Sequence, residues 1–287
     1  MATEVDIKQL LEAGAHFGHK TSRWHPKMAP YIHSKRNGSH IIDLTKTVEK
    51  LDSALDFIEK TVAAGKQVLL VSTKRQAHDI VRQLADDTGM PFVIERWPGG
   101  LLTNQKTMSG RLKHLKDLEA KMASGELNNK YNKLEVQRFQ EEIDRMNVLY
   151  GGIKDMAAKP GAVFVFDILE DKNAVAEARK LSIPIIALTD TNTDPSTVDY
   201  PIPSNDDAIK TIQLMADYVK QAIEAGKGTR AKAAPDKSET AATEAPKTEV
   251  KTGEKPQAKA ETAEKSPKKT EKAEAPKTEK ADAKTKE

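Results

Sequence analysis

QVLLVS, residues 67–72, decides the fold. Its central positions, Val68 to Val71, are all apolar, whereas a strand with one wet face would alternate. A short continuous run of this kind suits a parallel strand buried on both faces. Upstream, residues 45–64 repeat apolar side chains at three- and four-residue spacing (Val48, Leu51, Leu55, Ile58, Val62), which predicts an amphipathic helix stopped by Gly65. Downstream, residues 75–87 read as a helix and 91–94 as a second strand. The alternation returns later with a strand at 163–166, a helix at 173–181 and a strand at 184–188. A short extended piece near 200–202 and a final helix over 206–224 complete it. A short helix at 6–13, with Ile7, Leu10 and Leu11 on one stripe, opens the chain. Alternating strands and helices predict an α/β domain over residues 1–226, its parallel sheet covered on both faces.

Residues 105–150 interrupt this pattern. Two charged helical segments, 105–122 and 133–150, flank a polar break at 124–132. Leu112, Leu115, Leu118 and Met122 mark one apolar stripe, and Leu134, Phe139, Ile143, Met146 and Leu149 another. The expectation is an inserted antiparallel helical hairpin that projects as a coiled coil with its own seam. From residue 227 to 287 the composition turns to Ala, Lys, Glu, Thr and Pro, with no aromatic residue and one isolated valine, Val250. Such a segment cannot bury enough apolar surface to offset its ordering entropy and is expected to be disordered.

Composition excludes several classes. The chain of 287 residues has no cysteine, so disulfides and thiolate metal sites are ruled out, as suits a reducing cytoplasm. The polar, amphipathic start MATEVDIKQLLEAG has no apolar core of a signal peptide, and no apolar run reaches membrane-spanning length. The formal net charge is +3, and residues 227–287 hold 16 Lys/Arg against 12 Asp/Glu. The remainder is therefore nearly neutral, so any RNA binding must use local patches.

One such patch is residues 18–47, GHKTSRWHPKMAPYIHSKRNGSHIIDLTKT, where cations and rings crowd beside a single acid, Asp43. Cationic heads can take phosphates while rings stack on unpaired bases, so Arg23, Trp24, His25, Lys27, Lys35, Arg36, Asn37 and His40 are candidate RNA contacts. Asn37-Gly38 between YIHSK and SHIID predicts a β-hairpin. A merely solvated surface hairpin is the competing reading. Two further patches follow predicted strands, where open α/β sheets bind ligands. They are Lys74, Arg75 and Gln76, and then Arg96, Trp97, Asn104, Lys106, Thr107 and Arg111. Packing is the alternative for Trp97, and ordinary helix-start charge for Lys74 and Arg75. Residues 100–107, GLLTNQKT, match a phosphate-binding loop except at Gln105, where that loop needs glycine, and no nucleophile–base set accompanies them. No enzyme activity is expected. A phosphate or nucleotide enzyme on such an α/β sheet is the runner-up, and a protein adaptor the third option.

The motifs also carry a resemblance. GHxxxxW-x-PKMxPYI with RNG-x-HIIDLxKT resembles the N-terminal motif of the bacterial ribosomal small-subunit protein S-two family. STKRQA (72–77), RWPGGLLTNQKT (96–107), GGIKDM (151–156), and DTNTDP with YPIPSNDDAI (190–209) agree with it in order. The resemblance implies a flavodoxin-like five-stranded sheet in the order 2-1-3-4-5. It also implies a structural, non-enzymatic role in the cytoplasmic small ribosomal subunit. The implied partners are small-subunit ribosomal RNA and other subunit proteins, among them the mRNA-binding protein S-one, with neither DNA nor membrane. In the family the body lies at the solvent side of the head–body junction and joins late in assembly.

No cofactor is required by this reading, but a structural zinc or similar divalent cation is a candidate at His19, Asp190 and Asp206. Asp190 ends a predicted strand and Asp206 begins the last helix, so both fall at one edge of the sheet, where the N-terminal motif must approach. An imidazole and two carboxylates suit such a cation. The competing account makes Asp206 a helix cap and Asp190 a turn residue.

Overall fold

A computed structural model describes residues 5–156 and 159–233. Of the tail expected to be disordered, residues 234–287 lie outside the described part.

The QVLLVS run becomes β4 (Val68–Val71), an inner strand of a five-stranded parallel sheet with β5 (Phe92–Val93), β6 (Ala162–Val165), β7 (Ile185–Thr189) and β8 (Tyr200–Pro203). The spatial order is β5-β4-β6-β7-β8, every neighbouring pair parallel, which is the flavodoxin-like order that the resemblance implied. All four residues of β4 are fully buried, because alternate side chains enter different cores. Val68, Leu70, Phe164 and Leu188 pack with Leu51 and Ile58 of α2 (Leu44–Ala63), Leu84 of α3 (His78–Thr88) and Val219 of α8 (Ile209–Ala233). Leu69, Val71, Val163 and Ala187 face the other way, onto Val175 of α7 (Lys172–Lys180).

Each predicted helix of the alternation forms. Helix α1 (Ile7–Ala13) is capped by Asp6, whose carboxylate accepts from the Lys8 N–H at 2.8 Å. The last helix runs on to Ala233, past the residue 224 at which periodicity ends it.

The insertion holds α4 (Gln105–Ala123), α5 (Glu126–Lys130) and α6 (Lys133–Tyr150). The break expected at 124–132 therefore contains a helix, seated by the buried Leu127. Helices α4 and α6 pack on each other, and Leu115, Leu118 and Ile143 belong to a buried cluster that extends to Leu69 and Val71 of the sheet. Leu134 and Leu149, expected in the seam, are 68% and 37% exposed. Leu134 lies in the first turn of α6, just after the capping Asn132, and faces outward.

A second, three-stranded sheet was only partly foreseen. The predicted hairpin forms as β2 (Ile32–Arg36) and β3 (Ser39–Ile42), with Asn37 and Gly38 at φ 50° and 77°, the left-handed pair that a tight hairpin turn needs. Strand β1 (Phe17–Lys20) adds antiparallel to the other side of β3.

Candidate nucleic-acid interface

The small sheet is fastened to the carboxyl end of the large one through Thr191, just past β7. Thr191 Oγ1 accepts from the His19 N–H at 2.9 Å, and the Thr191 carbonyl accepts from the His25 N–H at 2.7 Å. Gly18 makes the approach possible, since a Cβ there would lie 2.6 Å from Thr191 Cγ2. Lys27 completes the fastening, its Nζ donating to Asp194 Oδ2 at 2.7 Å and Ser196 Oγ at 2.6 Å. The Lys27 and Ser196 donors hold the Asp194 carboxyl far below the usual carboxylate range.

This docking divides the expected RNA contacts. Arg23, Lys35, Arg36 and Asn37 are exposed, and the three cations form no ion pair among the described residues. Trp24, 37% exposed, sets its ring 5.3 Å from that of His40. His25 and Lys27 are used in docking, the His25 Nδ1 accepting from the Lys27 N–H at 3.3 Å. His40 is a correction: only 1% of it is exposed, because the alternation of β3 turns it inward with Ile42. Burial, followed by the charge of Lys35, lowers its pKa, so it is a neutral packing residue.

The loops after β4 and β5 divide in the same way. Arg75, Gln76, Arg96, Asn104, Lys106, Thr107 and Arg111 are exposed. Arg111 Nη1 donates to the Tyr150 hydroxyl at 2.9 Å, and Asn104 caps α4 by accepting from the Thr107 N–H at 3.4 Å. Trp97 is the second correction. It is 7% exposed, and its Nε1–H donates to Glu177 Oε1 at 3.0 Å, so its ring is not offered to a base. Glu177 also accepts from the N–H groups of Gly100 (2.7 Å), Leu102 (3.1 Å) and Thr103 (3.2 Å), and from the Thr103 hydroxyl (3.1 Å). Burial would raise its pKa, but the bonds from Trp97, Gly100, Thr103 and Leu102 outweigh burial and hold it below the usual value. One carboxylate thus shapes the loop that carries Arg96, Asn104 and Lys106.

Lys74 is the third correction. Its Nζ lies 3.2 Å from Asp167 Oδ2, 3.0 Å from Asp206 Oδ1 and 2.7 Å from Asp207 Oδ1, with 11% of the side chain exposed. Burial opposes its charge, but Asp206, Asp207 and Asp167 overcome that and raise its pKa. It neutralises carboxylates brought together by the ends of β6 and β8 and has no charge to spare for phosphate.

His19 reaches the same cluster. Its Nδ1 lies 2.9 Å from Asp190 Oδ2 and its Nε2 3.4 Å from Asp207 Oδ2. The Asp190 hydrogen bond raises the imidazole pKa against the effect of burial. Among the described residues, His19, Asp206 and Asp207 offer ligand atoms within 4.8 Å of one another. The expected trio therefore changes membership. Asp190 orients the ring from behind and accepts from the Thr191 hydroxyl at 3.1 Å, while Asp207 takes its place. Asp206 is not the cap either, since Asn205 Oδ1 accepts from the N–H groups of Asp207 at 2.8 Å and Ala208 at 3.2 Å.

Residues 10–226 match the family described as Ribosomal protein S2. Among curated relatives, the small ribosomal subunit protein uS2 of Dehalococcoides mccartyi is 49% identical over 229 residues, covering 78% of this chain and 93% of that one. The uS2 protein of Roseiflexus sp. is 49% identical over 226 residues (79% and 86%), and that of Thermus thermophilus 47% over 249 residues (86% and 97%). The order of the sheet, the fastened basic sheet and these identities agree: the chain belongs to the ribosomal protein S2 family, whose members are structural, non-enzymatic proteins of the ribosome.

Proposed function

We propose that this protein is a structural constituent of the cytoplasmic small ribosomal subunit. It binds small-subunit ribosomal RNA through the β1–β3 face and the adjoining carboxyl-end loops, and so supports subunit assembly and translation. The observation that carries this reading is the set of exposed cations Arg23, Lys35 and Arg36, without an ion pair among the described residues, beside the half-exposed Trp24. Arg75, Arg96 and Lys106 extend the surface across the loops after β4 and β5. Docking of the mRNA-binding protein S-one belongs to the same reading. No helix among the described residues is long and apolar enough to cross a membrane. Co-sedimentation with small subunits tests the proposal: the Arg23→Ala/Lys35→Ala/Arg36→Ala variant should dissociate at lower salt than the wild type. Each lost phosphate contact flattens the salt dependence by about one unit. Equal occupancy at raised salt would remove this face from the RNA interface.

A divalent cation on His19 Nε2, Asp206 and Asp207 is part of the proposal. It has to compete with Lys74, whose ammonium already sits on both carboxylates. Zinc titration by calorimetry should therefore show tighter binding in Lys74→Gln and loss in His19→Ala. Absence of binding in wild type and Lys74→Gln alike would end it.

A further inference from the structure

At the opposite end of the large sheet, where its parallel strands begin, lies a cleft of about 540 Å³. Its walls come from the end of α2 and from the segments that enter β4, β6 and β7. Lys60, Lys66 and Lys159 line it together with Phe57, Pro160 and Pro184, and no acid lines it. Phe57 is fixed by stacking on Tyr200, with centroids 4.5 Å apart and planes at 21°. The stem of Lys66 lies against Gly161, where a Cβ would be 2.5 Å from Lys66 Cβ. Arg230 lies over Gly65, between the lining residues Ala64 and Lys66, its Cζ 3.3 Å from the position of a Gly65 Cβ.

The charge in this cleft is uncompensated. Lys60, Lys66 and Arg230 make no ion pair among the described residues, and Lys159 donates only to the Leu181 carbonyl at 3.1 Å. Lys74, at the other end of the same sheet, has three carboxylates around it. A concave site lined by lysines, an aromatic ring and prolines has the chemistry of a phosphodiester site, cations for the backbone and flat apolar surface for a base or ribose.

We propose that this cleft is a second RNA-binding site, which takes a single-stranded phosphodiester segment at the amino end of the sheet. It rests on the proposed function only in taking RNA as the polyanion. The protein would then join two RNA segments across the length of its strands, roughly 15 Å at about 3.3 Å per residue.

The test uses the full chain and a fluorescein-labelled twelve-nucleotide uridine RNA, with anisotropy read across a potassium chloride series. Lys60→Gln/Lys66→Gln/Lys159→Gln keeps the stems and removes the charges. It should weaken binding about tenfold and reduce the salt slope by about two, since each single-strand phosphate contributes about 0.7. The Arg23→Ala/Lys35→Ala/Arg36→Ala variant should lose binding at the other site, and the combined variant should bind more weakly than either. Unchanged binding in the cleft variant, with a loss in the other, would overturn the second site and leave the proposed function standing. If neither variant changed binding, or the wild type did not bind, both would fall. A glutamate dodecapeptide that binds the wild type but not the cleft variant, without displacing the RNA, would assign the cleft to an acidic protein and overturn the proposal. Equal thermal unfolding of the variants excludes misfolding.

Discussion

Replacing Glu177 by alanine would leave three peptide N–H groups, the Trp97 indole and the Thr103 hydroxyl without their shared acceptor. The expected loss is about 2 kcal/mol, the typical cost of stranding buried donors, measurable by denaturant unfolding. The depressed pKa of Glu177 gives the sign with pH. Its contribution is complete above the unfolded value of about 4.3 and disappears as pH falls through the lower folded value, so Glu177→Gln should flatten stability in that acid range. Asp171 has the opposite sign. Burial pushes its carboxyl up to about 6 despite the Thr73 N–H donated at 3.1 Å, and its Oδ1 has no hydrogen-bond partner among the described residues. Its ionisation therefore costs stability as pH rises from about 4 to 6, on the order of 3 kcal/mol. Asp171→Asn, which keeps an acceptor for Thr73, should remove that slope. An identical slope in the variant would show that other groups cause it. Neither acid was legible in the sequence. Glu177 reads as an ordinary helix charge in NAVAEARK, and nothing in RWPGGLLTN reveals which acceptor its N–H groups find. His40 was legible in principle, since it is two residues from Ile42 and so shares the inward face of β3.

The βα alternation was readable because each element carries its own period. The four-residue apolar strands are bounded by polar turns, and α2 has an unbroken apolar stripe. Strand β1 has no such signal, for Phe17, Gly18, His19 and Lys20 follow neither pattern; it forms because β3 offers an open edge. Its docking depends on the absence of a side chain at Gly18. Gly18→Ala would drive a methyl group into Thr191 and towards the His40 carbonyl, 3.2 Å from the added carbon. Overpacking of this kind costs about 1–3 kcal/mol. Thermal melting should show the loss, and adding Thr191→Ser, which removes Cγ2 but keeps the hydroxyl that accepts from His19, should recover part of it. No recovery would mean that the contact is not the cause. The stripes of α4 and α6 were recognised as helical, but periodicity cannot say that the cluster holding Leu115 and Ile143 extends to Leu69 and Val71 of the sheet.

For the whole molecule, the core among the described residues has its last buried hydrophobic side chain at Ile223. Deleting residues 234–287 should therefore leave the melting temperature unchanged, and a clear fall on truncation would contradict this. The long-range fastening of the N-terminal sheet has a consequence for synthesis. His19 is bonded to a residue 172 positions later, Thr47 to Pro203, 156 positions later, and Thr211 to Ala13, 198 positions earlier. At about 5–20 residues per second, translation takes roughly 8–40 seconds to supply those partners. Throughout that interval the basic hairpin is already made but has nothing to hold it, so each nascent chain displays its most cationic surface before its fold can close around it.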